Sequence, residues 1–217
     1  MQVGIIGYLG KMGQEILRCI DSSDHTCVYR KDETNELLQC TPECLIDFSV
    51  PEALSSSCEK AIFFQCPLVI GTTGLTPKHF DIIENCAKQV PVFYSTNYSL
   101  GIHCVQTMLK AVSGQLKDWD IGIVETHHTE KKDAPSGTAH SLQKTLNRNV
   151  PIESFRLKGV PGEHEIIFSN YNEIIHLKHT AYSRQVFASG ALDCAKWLIE
   201  NQFKSGLFDM NSRFEGQ

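Results

Sequence analysis

Between Val124 and His140 the chain reads VETHHTEKKDAPSGTAH. His127 and His128 are adjacent, Lys131 lies four residues after His127, and a Pro-Ser-Gly-Thr turn leads into a helix-forming stretch. Imidazole titrates near neutral pH and can give or take a proton. Lysine is a strong cation and, once desolvated, an acid. Ser136, Gly137 and Thr138 offer hydroxyls and backbone amides at a helix start, where the exposed N–H groups and the dipole favour a carboxylate. Together these residues describe a pocket for a small anion that is protonated during reaction; the plainer alternative is a solvated loop. A metal reading, with His127, His128 and Glu130 as ligands, is set aside. Sequential neighbours rarely converge on one ion, and no distant partner completes a zinc geometry.

A second constellation opens the chain. GIIGYLGKMG places Gly7, Gly10 and Gly13 three apart, after an apolar run and before a helical pattern. Gly7 permits a sharp turn, Gly10 lets backbone amides approach a pyrophosphate, and Gly13 allows close packing of the helix. The usual dinucleotide fingerprint has a tighter first spacing, so the strand-turn-helix context carries more weight than the glycines themselves. Where the second strand ends, the chain reads VYRKDE, with Arg30 and Lys31 ahead of Asp32 and Glu33. A basic residue there suits a 2′-phosphate and an acidic one a ribose hydroxyl. Arg30 therefore leans toward the phosphorylated cofactor. GTT (Gly71, Thr72, Thr73) and STNY (Ser95, Thr96, Asn97, Tyr98) each follow an apolar strand and suit the nicotinamide and its ribose. Taken singly, each is also an ordinary turn.

These groups need a scaffold, and the hydrophobic pattern predicts one. QVGII, HTCVYR, CLIDFS, PLVIG and VPVFY read as strands. Between them fall helical patterns at KMGQEILRCIDSS, at 51–64 and at TPKHFDIIENCAKQ, the last with Thr76 as cap and Pro77 at its first position. Alternating strands and helices predict a doubly wound parallel sheet, with ligands beyond the carboxyl ends of its strands. After Asn97 the pattern changes: a helix over 100–116, a strand at DIGIVETHH, a helix after the Pro-Ser-Gly-Thr turn, then FRLKG, HEIIFSN and NEIIHLKHT as antiparallel strands. The expected class is α/β, a Rossmann-type parallel domain over 1–97 plus a smaller α+β domain over 98–189 with an antiparallel or mixed sheet. A C-terminal helix within 190–217 is expected to pack back on the first domain.

Bulk properties narrow the function. The chain has 217 residues, a formal net charge of −5 and 41% hydrophobic residues, an ordinary globular composition. A non-specific nucleic-acid binder would show a basic surplus, so no nucleic-acid partner is expected. No apolar run is long enough to cross a bilayer, so no membrane role is expected either. Nine cysteines, an odd number in a chain without secretory marks, read as free thiols in a reducing cytoplasm.

The residues also carry a resemblance. GxxGxMG at the start, IDFS, GTTG, STNYSLG, SRxxFAxGAxxxAxWL and above all ExHHxxKxDxPSGTA resemble the 4-hydroxy-tetrahydrodipicolinate reductase (dihydrodipicolinate reductase) family, in order from residue 4 to about residue 198. The resemblance implies a homotetramer whose second domain binds substrate and builds the assembly. It implies that NADPH or NADH reduces a cyclic unsaturated dicarboxylate, with loss of water, to tetrahydrodipicolinate on the diaminopimelate route to lysine. Carried over by motif, His127 resembles the proton donor and acceptor and Lys131 the proton donor. His128, Gly137 and Thr138 resemble substrate contacts, with Ser136 beside them. Gly7, Tyr8, Leu9, Gly10, Lys11 and Met12, with the GTT and STNY turns, resemble the cofactor site. Arg30 stands where some members carry an acidic residue, and Lys132 has no assigned role. Two rivals are another two-domain NAD(P)-dependent dehydrogenase and a non-catalytic dinucleotide sensor. The first would place a cysteine or a different lysine near the nicotinamide; the second would need neither His127 nor Lys131.

Overall fold

A computed structural model describes residues 1–214 of the chain. They form two compact units, one of Met1–Tyr98 together with the stretch from Phe187 onward, the other of Ser99–Val186.

In the first unit, strands β1 (Gln2–Ile6), β2 (Thr26–Lys31), β4 (Cys44–Asp47), β5 (Leu68–Ile70) and β6 (Pro91–Tyr94) alternate with helices α1 (Lys11–Asp21), α2 (Leu54–Phe64) and α3 (Pro77–Ala87). Two further strands are β3 (Glu36–Leu38) and β11 (Gly206–Phe208), and the order across the sheet is β11-β6-β5-β4-β1-β2-β3. All pairs are parallel except β2–β3. Strands buried on both faces need apolar residues at every position, and β4 and β5 are buried throughout. Val3, Ile5, Ile46 and Phe93 meet α1 and α6 (Gln185–Glu200) on one face. Ile6, Leu45, Leu68 and Ile70 meet α2 and α3 on the other. The chain leaves β1 in one direction to β2 and in the other to β4, so the switch point of the sheet lies at the carboxyl end of β1.

Three features of this unit differ from expectation. The helix expected from Pro51 opens as a 3-10 turn over Pro51–Ala53 before the α-helix begins. β3 and β11 were not read as strands, because three residues are too few to show a period. The helix expected within 190–217 is displaced, and residues 215–217 lie outside the described residues. α6 starts earlier and stops at Glu200, Gln202 turns left-handed (φ 51°), and the chain then adds β11 beside β6. Trp197, Phe203 and Phe208 pack ring against ring there, with centroids 4.4–5.6 Å apart, and a short helix α7 (Met210–Phe214) follows.

In the second unit, α4 (Leu100–Ser113) and α5 (Gly137–Leu146) cover one face of a sheet ordered β10-β9-β7-β8. Its strands are β7 (Asp120–His127), β8 (Ile152–Arg156), β9 (Gly162–Ser169) and β10 (Ile174–Ala181). β7–β9 and β9–β10 are antiparallel, but β7–β8 is parallel, so the expectation for FRLKG is corrected. The cause is α5, a crossover helix that returns the chain to the end from which β7 began. Val105, Leu109, Leu142, Ile123, Ile166 and Phe168 fill the covered side. By strand alternation Val124, Phe155, Ile167 and Ile174 take the other side, where Phe155 is 53% and Ile174 59% exposed. Among the described residues, no helix is long and apolar enough to cross a membrane.

Candidate active site

β1 ends at Ile6 and the chain turns sharply at Gly7, whose φ of +80° suits glycine. A Cβ at Gly7 would lie 2.6 Å from the Phe48 carbonyl oxygen, and one at Gly13 only 2.2 Å from the Gly7 oxygen. A Cβ at Gly10 would sit 3.3 Å from that same oxygen and fill the mouth of the turn. Gly10 is also the extended N-cap of α1 and offers no capping side chain. That arrangement fits a pyrophosphate. Gln14 braces the loop by donating to the Tyr8 carbonyl at 2.8 Å. Tyr8 and Met12 are half-buried, whereas Leu9 and Lys11 are exposed.

At the end of β2 the acid, not Arg30, touches this loop. The Gly7 amide donates to the Lys31 carbonyl at 2.8 Å. Asp32 is the first residue beyond the strand, and its Oδ2 accepts the Leu9 amide at 3.0 Å. Arg30 lies within the strand, half-buried, with Nε 3.4 Å from the Cys27 sulfur. The signal that could have found Asp32 is strand length: β2 runs one residue further than HTCVYR suggests.

The carboxylate of Asp47 ties the neighbouring strand ends together. Its Oδ1 accepts from the Ser49 amide at 2.8 Å, the Ser49 hydroxyl at 2.5 Å and the Thr72 hydroxyl at 3.0 Å. Thr72 is therefore buried and structural in its side chain, Thr73 beside it is exposed, and a Cβ at Gly71 would strike the Phe48 ring at 2.2 Å. Ser95 donates to the Asn97 carbonyl at 2.7 Å, closing the turn that carries exposed Thr96. Tyr98 is 1% exposed and donates to the Ile70 carbonyl at 2.7 Å, so its ring and hydroxyl serve the core.

In the second unit, β7 buries alternate residues: Ile121, Ile123, Glu125 and His127. The first two extend the apolar core, and the last two put a carboxylate and an imidazole where the pattern calls for hydrocarbon. Such a break with local rule marks sites rather than scaffolds. Glu125 is fully buried. Its Oε2 accepts the His127 Nδ1 proton. Its Oε1 accepts from Arg156 Nη2 at 2.8 Å and from the Ser136 amide at 3.3 Å. Arg156 arrives because the parallel register sets it opposite His127. Burial pushes the Glu125 carboxyl up, but hydrogen bonds from Arg156, Ser154 and His127 outweigh it and draw it down to about 2.

His127 is held below the ordinary imidazole range, first by burial; Glu125 opposes this, and Lys131 and Arg156 reinforce it. His164 of β9 meets the His127 ring edge to face, with centroids 5.0 Å apart. Its Nε2 is 3.0 Å from the Ser136 hydroxyl, and burial with the neighbouring His127 charge pushes it down to about 3. Ser136 caps α5 by accepting the Ala139 amide at 3.1 Å, which leaves Gly137 exposed and Thr138 half-buried in the first turn. His128 Nε2 accepts from Arg184 at 3.3 Å, while its Nδ1 is buried without a partner. The Lys131 amide donates to the His128 carbonyl at 3.1 Å, and its ammonium pairs with Asp133 at 2.9 Å. Lys132 is exposed.

The second unit thus gathers His127, His128, Lys131 and the Ser136–Thr138 helix start. It adds Glu125, Arg156, His164 and Arg184, which sequence reasoning missed. Glu125 and Arg184 left traces: both stand in the motifs that carry the resemblance, without a role, and Glu125 shares the core-facing parity of Ile121 and Ile123. Among the described residues, no group of three His, Cys, Asp or Glu side chains could hold a metal ion. A buried imidazole with one nitrogen fixed, an ammonium and a capped helix start together can move a proton beside a bound anion.

Comparison with known proteins agrees with these features. Residues 1–98 match the family model described as dihydrodipicolinate reductase, N-terminus, and residues 101–213 the one described as its C-terminus. A 4-hydroxy-tetrahydrodipicolinate reductase of Thermosipho africanus is 46% identical over 211 residues, 96% of this chain and 95% of that protein. The enzyme of that name from Rickettsia rickettsii is 37% identical over 239 positions, covering 99% of each chain. A dipicolinate-bound dihydrodipicolinate reductase from Paenisporosarcina sp. TG-14 shares the fold, with a TM-score of 0.76, 23% identity and 98% of each chain covered. The chain belongs to the dihydrodipicolinate reductase family.

Proposed function

We propose that this protein reduces 4-hydroxy-tetrahydrodipicolinate to tetrahydrodipicolinate with loss of water, using NADPH or NADH, on the diaminopimelate route to lysine. One observation carries the reading: a buried imidazole clamped by Glu125, an ammonium at Lys131 and the first turn of α5 fall on one short run of chain. A reduced nicotinamide, when bound, supplies the hydride. The glycine turn at Gly7–Gly13 holds the pyrophosphate, Gly71–Thr73 and Ser95–Tyr98 shape the nicotinamide end, and Arg30 with Asp32 bears on the ribose. The start of α5 at Ser136–Thr138 takes one substrate carboxylate, which would replace the Asp133 carboxylate at the Gly137 amide. His128 donates from Nδ1, because Arg184 already donates to its other nitrogen. Hydride addition to a conjugated imine builds negative charge on the ring. Lys131 stabilises that charge and delivers a proton, and His127 moves a proton to or from the carbon skeleton.

The second unit's uncovered sheet face, with Phe155 and Ile174 exposed, supports self-association, and we assign the chain to a homotetramer. The free cysteines suit a reducing compartment, and we assign it to the cytoplasm.

The test is loss of reduced-nicotinamide absorbance with substrate made in situ from the upstream aldol condensation. Wild type turns over, and His127→Ala and Lys131→Ala each lose about 100-fold or more in kcat with cofactor affinity kept. Cofactor binding without turnover in wild type would favour a sensor and overturn the proposal.

A further inference from the structure

Glu125, which clamps His127, is a fully buried charge that spends both its oxygens in the second unit's loop site. Oε1 is saturated by two donors from elsewhere, Arg156 Nη2 at 2.8 Å and the Ser136 amide at 3.3 Å. Oε2 accepts from His127 Nδ1. Arg156 is itself fixed, since the same nitrogen donates to the Asp133 carbonyl at 2.5 Å and Nη1 donates to the Phe155 carbonyl at 2.7 Å. The carboxylate therefore cannot rotate away from the imidazole. A carboxylate accepts and never donates, so the hydrogen of this pair sits on His127 Nδ1. Nε2, at the other edge of the ring, then carries none while the ring is neutral. That edge looks over Gly162, where a Cβ would come within 3.1 Å of Nε2; the missing side chain leaves it uncovered.

We propose that Glu125, anchored by Arg156 and the Ser136 amide, is a positioning residue that assigns the proton of His127 to Nδ1 and presents Nε2 to the substrate as a proton acceptor. This rests on the catalytic reading of His127 given above. It divides the labour between the two proton carriers. His127 must take a proton before it can return one, whereas the Lys131 ammonium is the standing donor. The charged and titratable groups around the ring agree: Arg156 from β8, Lys131 from the loop and His164 from β9 all disfavour a second proton, and Glu125 alone favours it.

The isosteric change Glu125→Gln is diagnostic. The two donors at Oε1 keep the amide oxygen on their side, so the NH2 group faces His127 Nδ1. An N–H there forces Nδ1 bare and moves the ring proton to Nε2. Nitrogen-15 spectra of the histidine rings, with the His127 signal assigned by its loss in His127→Asn, read this directly. Wild type at neutral pH is expected to show a protonated Nδ1 and a bare Nε2, and Glu125→Gln the reverse. Turnover should fall about 100-fold or more, as it does when a carboxylate beside a catalytic imidazole is made an amide in a hydrolase triad. The acid limb of the kcat/KM profile should move to lower pH in any residual activity, because the one group favouring a charged ring is gone. Glu125→Asp, which keeps the charge, should recover part of the turnover and the wild-type tautomer. A wild-type spectrum with the proton on Nε2 overturns the proposal, whether or not the variants fold. So does an unchanged tautomer in folded Glu125→Gln. Normal turnover of His127→Asn would instead sink the catalytic reading of His127 and leave the tautomer result standing.

Discussion

His164 Nε2 lies 3.0 Å from the Ser136 hydroxyl, and that hydroxyl already accepts the Ala139 amide at the start of α5. Ser136 and His164 share one hydrogen bond at Nε2, and His164 Nδ1 is buried without a partner among the described residues. A buried, neutral histidine thus ties β9 to the helix start proposed to bind a substrate carboxylate, while its ring supports that of His127.

The pair makes stability depend on pH with a definite sign. Burial and the neighbouring His127 charge push His164 from 6.5 down to about 3. Below about 6.5 the unfolded chain binds a proton here that the folded chain refuses, so stability falls as pH drops from 6.5 toward 3. The full effect approaches about 1.4 kcal/mol per pH unit. Glu125 adds a loss of its own only when pH falls below its unfolded value of 4.5, so measurements above that isolate the histidines. Urea midpoints for wild type and His164→Gln should converge as pH falls through this window, because the variant lacks the liability. Parallel curves would show that His164 titrates normally in the folded protein.

Gly162 faces the ring edge that the proposed chemistry uses. A Cβ there would lie 3.1 Å from His127 Nε2 and 3.2 Å from its Cδ2, and the ring cannot retreat because Glu125 holds Nδ1. Its backbone is ordinary strand, so alanine costs no conformational strain. Gly162→Ala should lower kcat by about ten-fold or more while changing unfolding free energy by only about 1 kcal/mol. Undiminished turnover in a stable variant would mean that this edge of His127 does not meet substrate.

What could be read from sequence was local. Gly7, Gly10 and Gly13 sit at a turn whose demands are met within a few residues. Thr76 and Pro77 start α3 as expected, with His79 returning the cap. The His127–Thr138 loop was found because its chemistry is concentrated in one run. Arg156, His164 and Arg184 were not, because they reach the site through strand register or a distant chain reversal, which no single-sequence period records. The parallel pairing of β8, which delivers Arg156 to Glu125, depends on α5 acting as a crossover, and FRLKG reads the same in either direction. Glu125 was passed over because a lone acid in an apolar strand looks like an exposed residue until its parity with Ile121 and Ile123 is counted.

The glycine loop carries the last prediction. Asp32 Oδ2 accepts the Leu9 amide at 3.0 Å, so a carboxylate stands at the end of β2, where the cofactor's ribose is expected, and Arg30 lies two residues before it. The acid favours a ribose hydroxyl and opposes a 2′-phosphate; the guanidinium does the opposite. Asp32→Asn removes the charge and keeps an oxygen for the Leu9 amide, at the cost of the Glu33 amide contact that Oδ1 accepts at 2.8 Å. This variant should shift the ratio of NADH to NADPH affinity about ten-fold toward NADPH, equivalent to about 1.4 kcal/mol. Arg30→Ala should move the ratio the other way, with NADPH losing more than NADH. Titration of each reduced cofactor against both variants reads the two shifts separately. An equal change for both cofactors in Arg30→Ala would take Arg30 out of the site and leave Asp32 alone to set the preference. An equal change in Asp32→Asn would make the Leu9 contact purely structural.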